Sequence, residues 1–287
     1  PIIFESIKKI NDSTILGKKI LKLIKNGINV YSAHTNLDSA KDGLNNYIAQ
    51  KLLAKDTKIM DENFYSVYKM NIFVSKSILA EVLSILNGSR ELEFLEYKRV
   101  TYTSKVTERV LVNNEIKELD SYNIQIMGEK NKLYSILNKI REKHSISEIA
   151  FEILPLENKH KTGTGLGRFF KLENPMSLEE YIIFVKDKLN LDFVKVVKAN
   201  DKLIKKVAIV NGSGAEFWKK AYDMGADVFI TGDFKYHNAL DAYEKGLNIV
   251  DIGHYEAEHF FYEIIIKKLD DNLRVEVYNE KRILEIK

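Results

Sequence analysis

The chain has 287 residues, 45% of them hydrophobic, and this length predicts about two domains. The 44 Lys and Arg against 41 Asp and Glu leave a formal net charge of only +3, so neither nucleic acid nor an anionic membrane is favoured as a partner. The sequence has no Cys, which excludes disulfides, Cys nucleophiles and thiolate metal sites. A bound metal ion would therefore depend on His, Asp and Glu side chains.

The sequence contains no apolar run of the roughly 18 residues that a membrane helix needs. Residues 1–10 lack the basic and apolar regions of a signal peptide, so we expect a cytoplasmic protein. Residue 1 is Pro, and the apolar group that follows it begins abruptly. We therefore expect that an amino-terminal segment is missing.

The first 64 residues predict a helix, a strand and a second helix. Residues 15–25 have the apolar spacing of an amphipathic helix, which Asn26 and Gly27 end. Residues 28–31 are β-branched and aromatic and predict a strand that leads into a polar turn, and residues 42–54 predict a helix. This arrangement puts functional side chains at the carboxyl end of a strand.

The pattern changes at about Tyr65. Up to residue 158 the predicted order is β-α-β-β-β-α-β, which is close to a ferredoxin-like split βαβ unit. Its second helix, over residues 130–144, has apolar side chains at 133, 136, 137 and 140. We therefore divide the chain into a first lobe (1–64), an inserted α+β module (65–158) and a second lobe (159–287).

The second lobe begins with a glycine-punctuated loop over residues 161–170. A helix over 177–189 follows, where Ser177 and Glu180 have the spacing of a capping box. Strands then alternate with helices to the end of the chain. The predicted fold is α/β, with a mostly parallel sheet flanked by helices and interrupted by the ferredoxin-like module.

Two His/carboxylate pairs follow predicted strands. His254 and Glu258 are four residues apart at the start of a helix, and His34 and Asp38 have the same spacing. Because strand carboxyl ends share one edge of an open α/β sheet, the pairs could form one site suited to Zn, Mn, Fe or Co. The alternatives are an ordinary surface contact for the first pair and an N-cap role for Asp38.

Three other features are less specific. His237 lies just inside a predicted helix and could act as an acid/base group or pack within that helix. The sequence NGSG, at 211–214, is compatible with a phosphate cradle or with a tight βα turn. The sequence GTGLGR, at 163–168, predicts a loop with positive φ angles, in which Arg168 could hold an anion.

Four stretches of the chain carry a resemblance to a known family. They are HTNLD (34–38), GTGLGR (163–168), the segment from NGSG to YHNA (211–239) and DIGHYEAE (251–258). Together they resemble the GTP cyclohydrolase 1 type 2 homolog family, also called Nif-three-like, over roughly residues 1–60 and 155–287. The inserted module looks like the PII or CutA-like domain of the longer bacterial members.

The resemblance implies two bound divalent metal ions (Zn, Mn or Fe), held in part by Asp38, His254 and Glu258. The other ligands would be two histidines of a His-His-Pro motif whose proline resembles Pro1. His34 or His237 would transfer protons in a hydrolase of the GTP cyclohydrolase type that acts on a nucleotide-like substrate. The alternative is a non-catalytic metal-binding or regulatory assembly protein. The resemblance also implies a homo-oligomer, commonly a hexamer.

Overall fold

The computed structural model describes residues 2–3, 6–94, 97–98, 100–144 and 149–278. The chain divides into two compact units, the first comprising Pro1–Asn63 with Gly163–Lys287 and the second comprising Phe64–Thr162. The predicted module of residues 65–158 falls within the second unit. Its PII or CutA-like character stays a prediction.

The described residues form helices and strands with the following bounds. The helices are α1 (Ile15–Lys25), α2 (Thr35–Ser39), α3 (Leu44–Lys51), α4 (Leu79–Gly88), α5 (Lys130–His144), α6 (Leu178–Leu189), α7 (Trp218–Asp223), α8 (Tyr236–Lys245), α9 (His254–Glu258) and α10 (Phe261–Ile266). The strands are β1 (Lys58–Ser75), β2 (Glu93–Phe94), β3 (Tyr97–Lys98), β4 (Thr101–Val112), β5 (Glu115–Gly128), β6 (Phe151–Met176), β7 (Lys195–Val197), β8 (Ile204–Ile209), β9 (Val228–Thr231) and β10 (Asn248–Asp251).

The fold is mixed α/β, but the prediction of a mostly parallel sheet is wrong. In the first unit the strand order is β6-β8-β9-β10-β7, where β8 pairs with β9 and β9 with β10 in parallel, while β6 and β7 pair antiparallel with their neighbours. In the second unit β4, β5 and β1 are antiparallel. Two parallel strands must be joined by a long crossover connection. In the first unit α7 connects β8 to β9 and α8 connects β9 to β10, so these three central strands are the parallel ones.

The core of the first unit lies on both faces of its sheet. Along β8, Val207 and Ile209 pack into the cluster formed with α3 and α6, whereas Ala208 packs on the opposite face with α7 and α8. This alternation follows from the two-residue period of a strand. Helices on both faces leave the carboxyl ends of β8, β9 and β10 at one edge of the sheet.

Several predicted helices are confirmed. Helix α1 has the predicted bounds and is capped by the Thr14 side chain, which accepts a hydrogen bond from the Gly17 amide. Helix α6 begins with the predicted capping box, in which Ser177 and Glu180 bond each other's backbone amides. In α5 the predicted apolar side chains are all buried.

Two extended segments differ from the prediction. Residues 28–33 form no strand, and Tyr31 is 84% exposed, because a β-branched run becomes a strand only where a neighbour supplies ladder hydrogen bonds. The GTGLGR sequence is not a loop but part of β6, although the predicted positive φ angles are confirmed at Gly163, Gly165 and Gly167. At Gly165 a Cβ atom would lie 2.1 Å from the carbonyl oxygen of Asp61, so the backbones approach too closely for any other residue.

Among the residues that the structure describes, no helix combines the length and the apolar character needed to span a membrane.

Candidate metal centre

The loops that leave the three parallel strands meet at one edge of the sheet. Asn211 follows β8, Asp233 follows β9, and His254 follows β10. The register places Ile230 beside both Ile209 and Val250, so the three strands end at the same level. Side chains far apart along the chain are brought together here, as expected for parallel strands.

His254 lies between two carboxylates. Its Nδ1 atom is 2.7 Å from Oδ2 of Asp233, and its Nε2 atom is 3.2 Å from Oε1 of Glu258. Burial lowers the pKa of His254, but the hydrogen bond to Asp233 and the negative charges of Glu258, Asp233 and Asp38 together raise this pKa above its ordinary value. The flanking acids therefore stabilise the protonated form of the ring relative to that of a free histidine.

Asp38 is electrostatically coupled to this pair. It lies in α2, and its Oδ1 atom accepts a hydrogen bond of 3.0 Å from Nδ2 of Asn211. Burial raises the pKa of Asp38 and the charge of Glu258 adds to the rise, whereas Asn211, His34 and His254 act in the opposite direction. The structure thus brings the two sequence-predicted pairs into one neighbourhood.

The N-cap role considered for Asp38 is wrong. Helix α2 has His34 at its N-cap position, and helix α3 has Gly43 there, so Asp38 caps neither. The backbone oxygen of His34 accepts hydrogen bonds from the amides of Leu37 and Asp38. His34 itself is exposed, and its charge acts on Asp38.

His237 is placed apart from these contacts. It is exposed in the first turn of α8, with its ring centroid 6.1 Å from that of Tyr236. Among the described residues, no hydrogen bond or ion pair joins His237 to Asp38, His254 or Glu258. Its role in proton transfer stays a prediction.

Arg168 does not present its charge to an anion, so that interpretation is wrong. The side chain is buried, and its guanidinium donates to the carbonyl oxygens of Gly165, Gly167, Ala40 and Lys41 at 2.8–3.2 Å. Burial lowers the pKa of Arg168. The guanidinium therefore ties β6 to the segment that follows α2.

The NGSG sequence forms a tight turn in which two of the four backbone amides are bonded within the fold. The Gly214 amide donates to the carbonyl oxygen of Gly212 and to the Thr231 hydroxyl, and the Asn211 amide donates to Oδ1 of Asn45. These amides are consequently occupied within the fold. Gly212 has a φ of +63°, and a Cβ atom there would lie 2.8 Å from Oε1 of Glu258.

Sequence reasoning missed the residues that support this centre, namely Asp233, Asn211, Asn45 and Asp251. Asp251 is buried and accepts hydrogen bonds from the amides of Gly253 (2.9 Å) and Phe234 (3.1 Å). It thereby orders the loops that carry His254 and Asp233. A signal was present in the sequence, because an Asp that ends an apolar strand two residues before a Gly is typical of an Asx turn.

A comparison with known families gives a match to nearly the whole chain. The family described as Duf34/NIF3 (NGG1p interacting factor 3) matches residues 1–283. The chain belongs to this family. The resemblance seen in the sequence motifs is therefore confirmed.

Relatives of this NIF3-family chain are found among both sequences and structures. The GTP cyclohydrolase 1 type 2 homolog of Bacillus subtilis is 33% identical over 280 residues, which cover 94% of this chain and 74% of that protein. A Bacillus cereus protein related to NIF3 has a similar crystal structure, with a TM-score of 0.69 and 29% identity over 96% of this chain and 81% of that one. A Staphylococcus aureus protein gives a TM-score of 0.65 at 27% identity, covering 93% and 73%.

The side chains at the centre are of the types that bind divalent cations, but in the described residues they do not all point at one position. Imidazole and carboxylate groups suit Zn, Mn and Fe, and both His254 and Asp38 have a hydrogen-bonded supporting residue, as metal ligands usually do. Within the described part of the chain, no three His, Asp or Glu side chains are grouped closely enough to hold an ion. Pro1, which the resemblance places in the His-His-Pro motif, lies outside the described residues.

Proposed function

We propose that this NIF3-family protein binds divalent metal ions through Asp38, His254 and Glu258, and that it is a metal-dependent hydrolase acting on a nucleotide-like substrate. The observation that carries the proposal is that the consecutive residues Asn211 and Gly212 lie beside Asp38 and beside the His254–Glu258 pair, which places the two His/carboxylate pairs near one edge of the sheet. The substrate class is suggested by the name of the Bacillus subtilis relative, a GTP cyclohydrolase 1 type 2 homolog.

The surroundings of His254 support its assignment as a ligand. A hydrogen bond from Nδ1 to a carboxylate orients the ring and leaves Nε2 to face a metal ion, and Asp233 supplies that carboxylate. Glu258 lies on the Nε2 side of the ring. We expect two ions of Zn, Mn or Fe, with Asp38 contributing a third protein ligand.

Two divalent ions would activate a water molecule and polarise a C=N or phosphoryl group of the substrate. Asp38 would hold its carboxylate in a fixed position, because Asn211 donates a hydrogen bond to it. Gly212 leaves room for the Glu258 carboxylate, since a Cβ atom there would lie 2.8 Å from Oε1 of Glu258. His34 is exposed, lies four residues before Asp38 and would transfer protons to and from the substrate. His237 is the second candidate for this step.

The test is to load the protein with Zn, Mn or Fe and to follow GTP by purine absorbance and product analysis. We expect turnover that requires the metal and that Glu258→Gln abolishes. Tight metal binding without turnover of any nucleotide would overturn the hydrolase and leave the non-catalytic metal-binding or regulatory function. A Glu258→Gln variant that changed only stability or assembly would favour the same alternative.

We also propose that the protein assembles into a homo-oligomer, with a hexamer as the expected form. Exposed apolar side chains concentrate in and after α1, where Ile15 is 78% and Ile24 is 65% exposed. Such apolar surface favours contact with another protein surface. Sedimentation analysis would test this, and a monomer at all concentrations would overturn it.

A further inference from the structure

We propose that Asn211 is a positioning residue that fixes the Asp38 carboxylate for metal binding, an inference that rests on the proposed function. Asn211 lies at the carboxyl end of β8, where it begins the NGSG turn. It contacts Asp38, which is 173 residues away in the sequence. No motif in the chain linked the two residues.

Asp38, Asn45 and Asn211 form a closed ring of three hydrogen bonds. Nδ2 of Asn211 donates to Oδ1 of Asp38 at 3.0 Å. Oδ1 of Asn45 accepts from the Asn211 backbone amide at 2.8 Å, and Nδ2 of Asn45 donates to the Asp38 carbonyl oxygen at 3.1 Å. Both the backbone and the carboxylate of Asp38 are thus held to the end of β8.

This arrangement fixes the orientation of the Asp38 carboxylate. The hydrogen bond from Asn211 occupies one lone pair of Oδ1, which leaves Oδ2 and the other lone pair of Oδ1 for a metal ion. A hydrogen bond to an ionised carboxylate is about twice as strong as one between neutral groups, so it restricts the orientation of the carboxylate. The outer partners of metal ligands act in this way, and their loss typically weakens metal binding about 10- to 100-fold.

Asn211 is costly to the fold if it has no function. It is only 8% exposed, and within the described residues its Oδ1 atom is buried without a hydrogen-bond partner. A buried polar atom without a partner destabilises a protein, and an apolar side chain of similar size would avoid this cost. The Asn211 side chain is explained by its NH₂ group, which donates a hydrogen bond to Asp38.

Gly212, the residue after Asn211, lies beside the His254–Glu258 pair. A Cβ atom on Gly212 would lie 2.8 Å from Oε1 of Glu258 and 3.8 Å from Cε1 of His254. The dipeptide Asn211–Gly212 is therefore placed between Asp38 and the His254–Glu258 pair. It connects the two halves of the proposed metal centre.

The experiment titrates the full chain with Co²⁺ and records both the dissociation constant and the visible absorption bands, which respond to the number and arrangement of ligands. The variants are Asn211→Ala and Asn211→Asp, the second of which keeps the side-chain size. The control is Asn248→Ala. Asn248 is a fully buried asparagine that also bonds backbone groups, but it lies at the opposite end of β10.

We expect Asn211→Ala to weaken Co²⁺ binding about 10- to 100-fold. Asn211→Asp should shift the absorption bands, because an ionised carboxylate cannot donate to Asp38. Asn248→Ala should lower the thermal unfolding midpoint but keep the wild-type affinity and spectrum. Wild-type affinity and spectrum in both Asn211 variants would overturn the positioning role alone. If the wild-type chain bound no Co²⁺, the proposed function would fail and this inference with it.

Discussion

Asp233 holds the Nδ1 atom of His254 at 2.7 Å, and the two residues come from loops that follow adjacent parallel strands. Asp233 adopts a φ of +55°, a conformation that Asp and Asn tolerate better than most residues. The buried Asp251 orders both loops by accepting hydrogen bonds from the Phe234 and Gly253 amides. The orientation of the imidazole is therefore set by the fold before any ligand arrives.

Replacing Asp233 with Asn should weaken metal binding without unfolding the protein. Asn tolerates the same backbone conformation, but its neutral amide makes the imidazole a poorer ligand than a carboxylate does. We expect Zn²⁺ affinity to fall about 10-fold in isothermal titration calorimetry. Asp241→Asn, which removes the same charge from an exposed position in α8, should leave the affinity unchanged. Equal losses in the two variants would mean that net charge, rather than the contact with His254, is responsible.

Replacing Gly212 with Ala should displace Glu258. The substitution forces a left-handed conformation on a non-glycine residue, which costs about 1–2 kcal/mol, and the new methyl group would meet the Glu258 carboxylate. Gly246→Ala has the same backbone cost at a φ of +76°, with open space around the methyl group. We expect urea unfolding to show that both variants are destabilised, Gly212→Ala the more so, and only Gly212→Ala to weaken Zn²⁺ binding, by about tenfold. A parallel loss in the Gly246 variant would contradict the contact with Glu258.

Replacing Arg168 with Lys should destabilise the first unit. The guanidinium donates to four carbonyl oxygens in a buried setting, and a single ammonium group cannot reach all of them. We expect the free energy of unfolding to fall by about 2–4 kcal/mol in urea titrations. Arg109→Lys is the control, since Arg109 pairs with Glu118 on an exposed surface, and it should change stability by less than about 0.5 kcal/mol. Equal effects would show that the buried contacts of Arg168 contribute little.

Sequence patterns predicted correctly those elements that are stabilised by contacts between residues close in the sequence. Helix α1 and the capping box of α6 depend on residues within a few positions of each other, so their bounds could be read from spacing. The direction of β6 and β7 depends on which strand each one pairs with, and spacing carries no such information. The apolar run over residues 28–31 likewise predicted a strand that lacks a pairing neighbour in the described structure.

The candidate site shows the same division. The pairs His34/Asp38 and His254/Glu258 were visible because each lies within one helical turn of sequence. Their supporting residues were not, since Asn211 reaches Asp38 across 173 residues and Asp233 reaches His254 across 21. Such contacts arise only when parallel strands bring their carboxyl ends to one edge. The prediction that Arg168 could hold an anion was wrong for a related reason. Its position beside three glycines does not show that its guanidinium donates to four carbonyl oxygens of the fold.

Replacing Tyr47 with Phe should reveal a contribution to stability that depends on alkaline pH. The Tyr47 hydroxyl donates a hydrogen bond to Glu263 and so joins α3 to α10. Burial, this hydrogen bond and the charge of Glu263 raise the pKa of Tyr47 from 10.0 to about 12. Because the folded pKa is the higher one, the contribution is fully present below pH 10 and is lost as the pH rises towards 12. We expect Tyr47→Phe to lower the free energy of unfolding by about 1 kcal/mol at pH 7, and this difference to shrink above pH 10 in urea titrations. The control is Tyr243→Phe, at an exposed position in α8, and its free energy of unfolding should match that of the wild type at every pH. If the difference between Tyr47→Phe and the wild type stayed constant up to pH 12, the role of the Glu263 hydrogen bond would be contradicted.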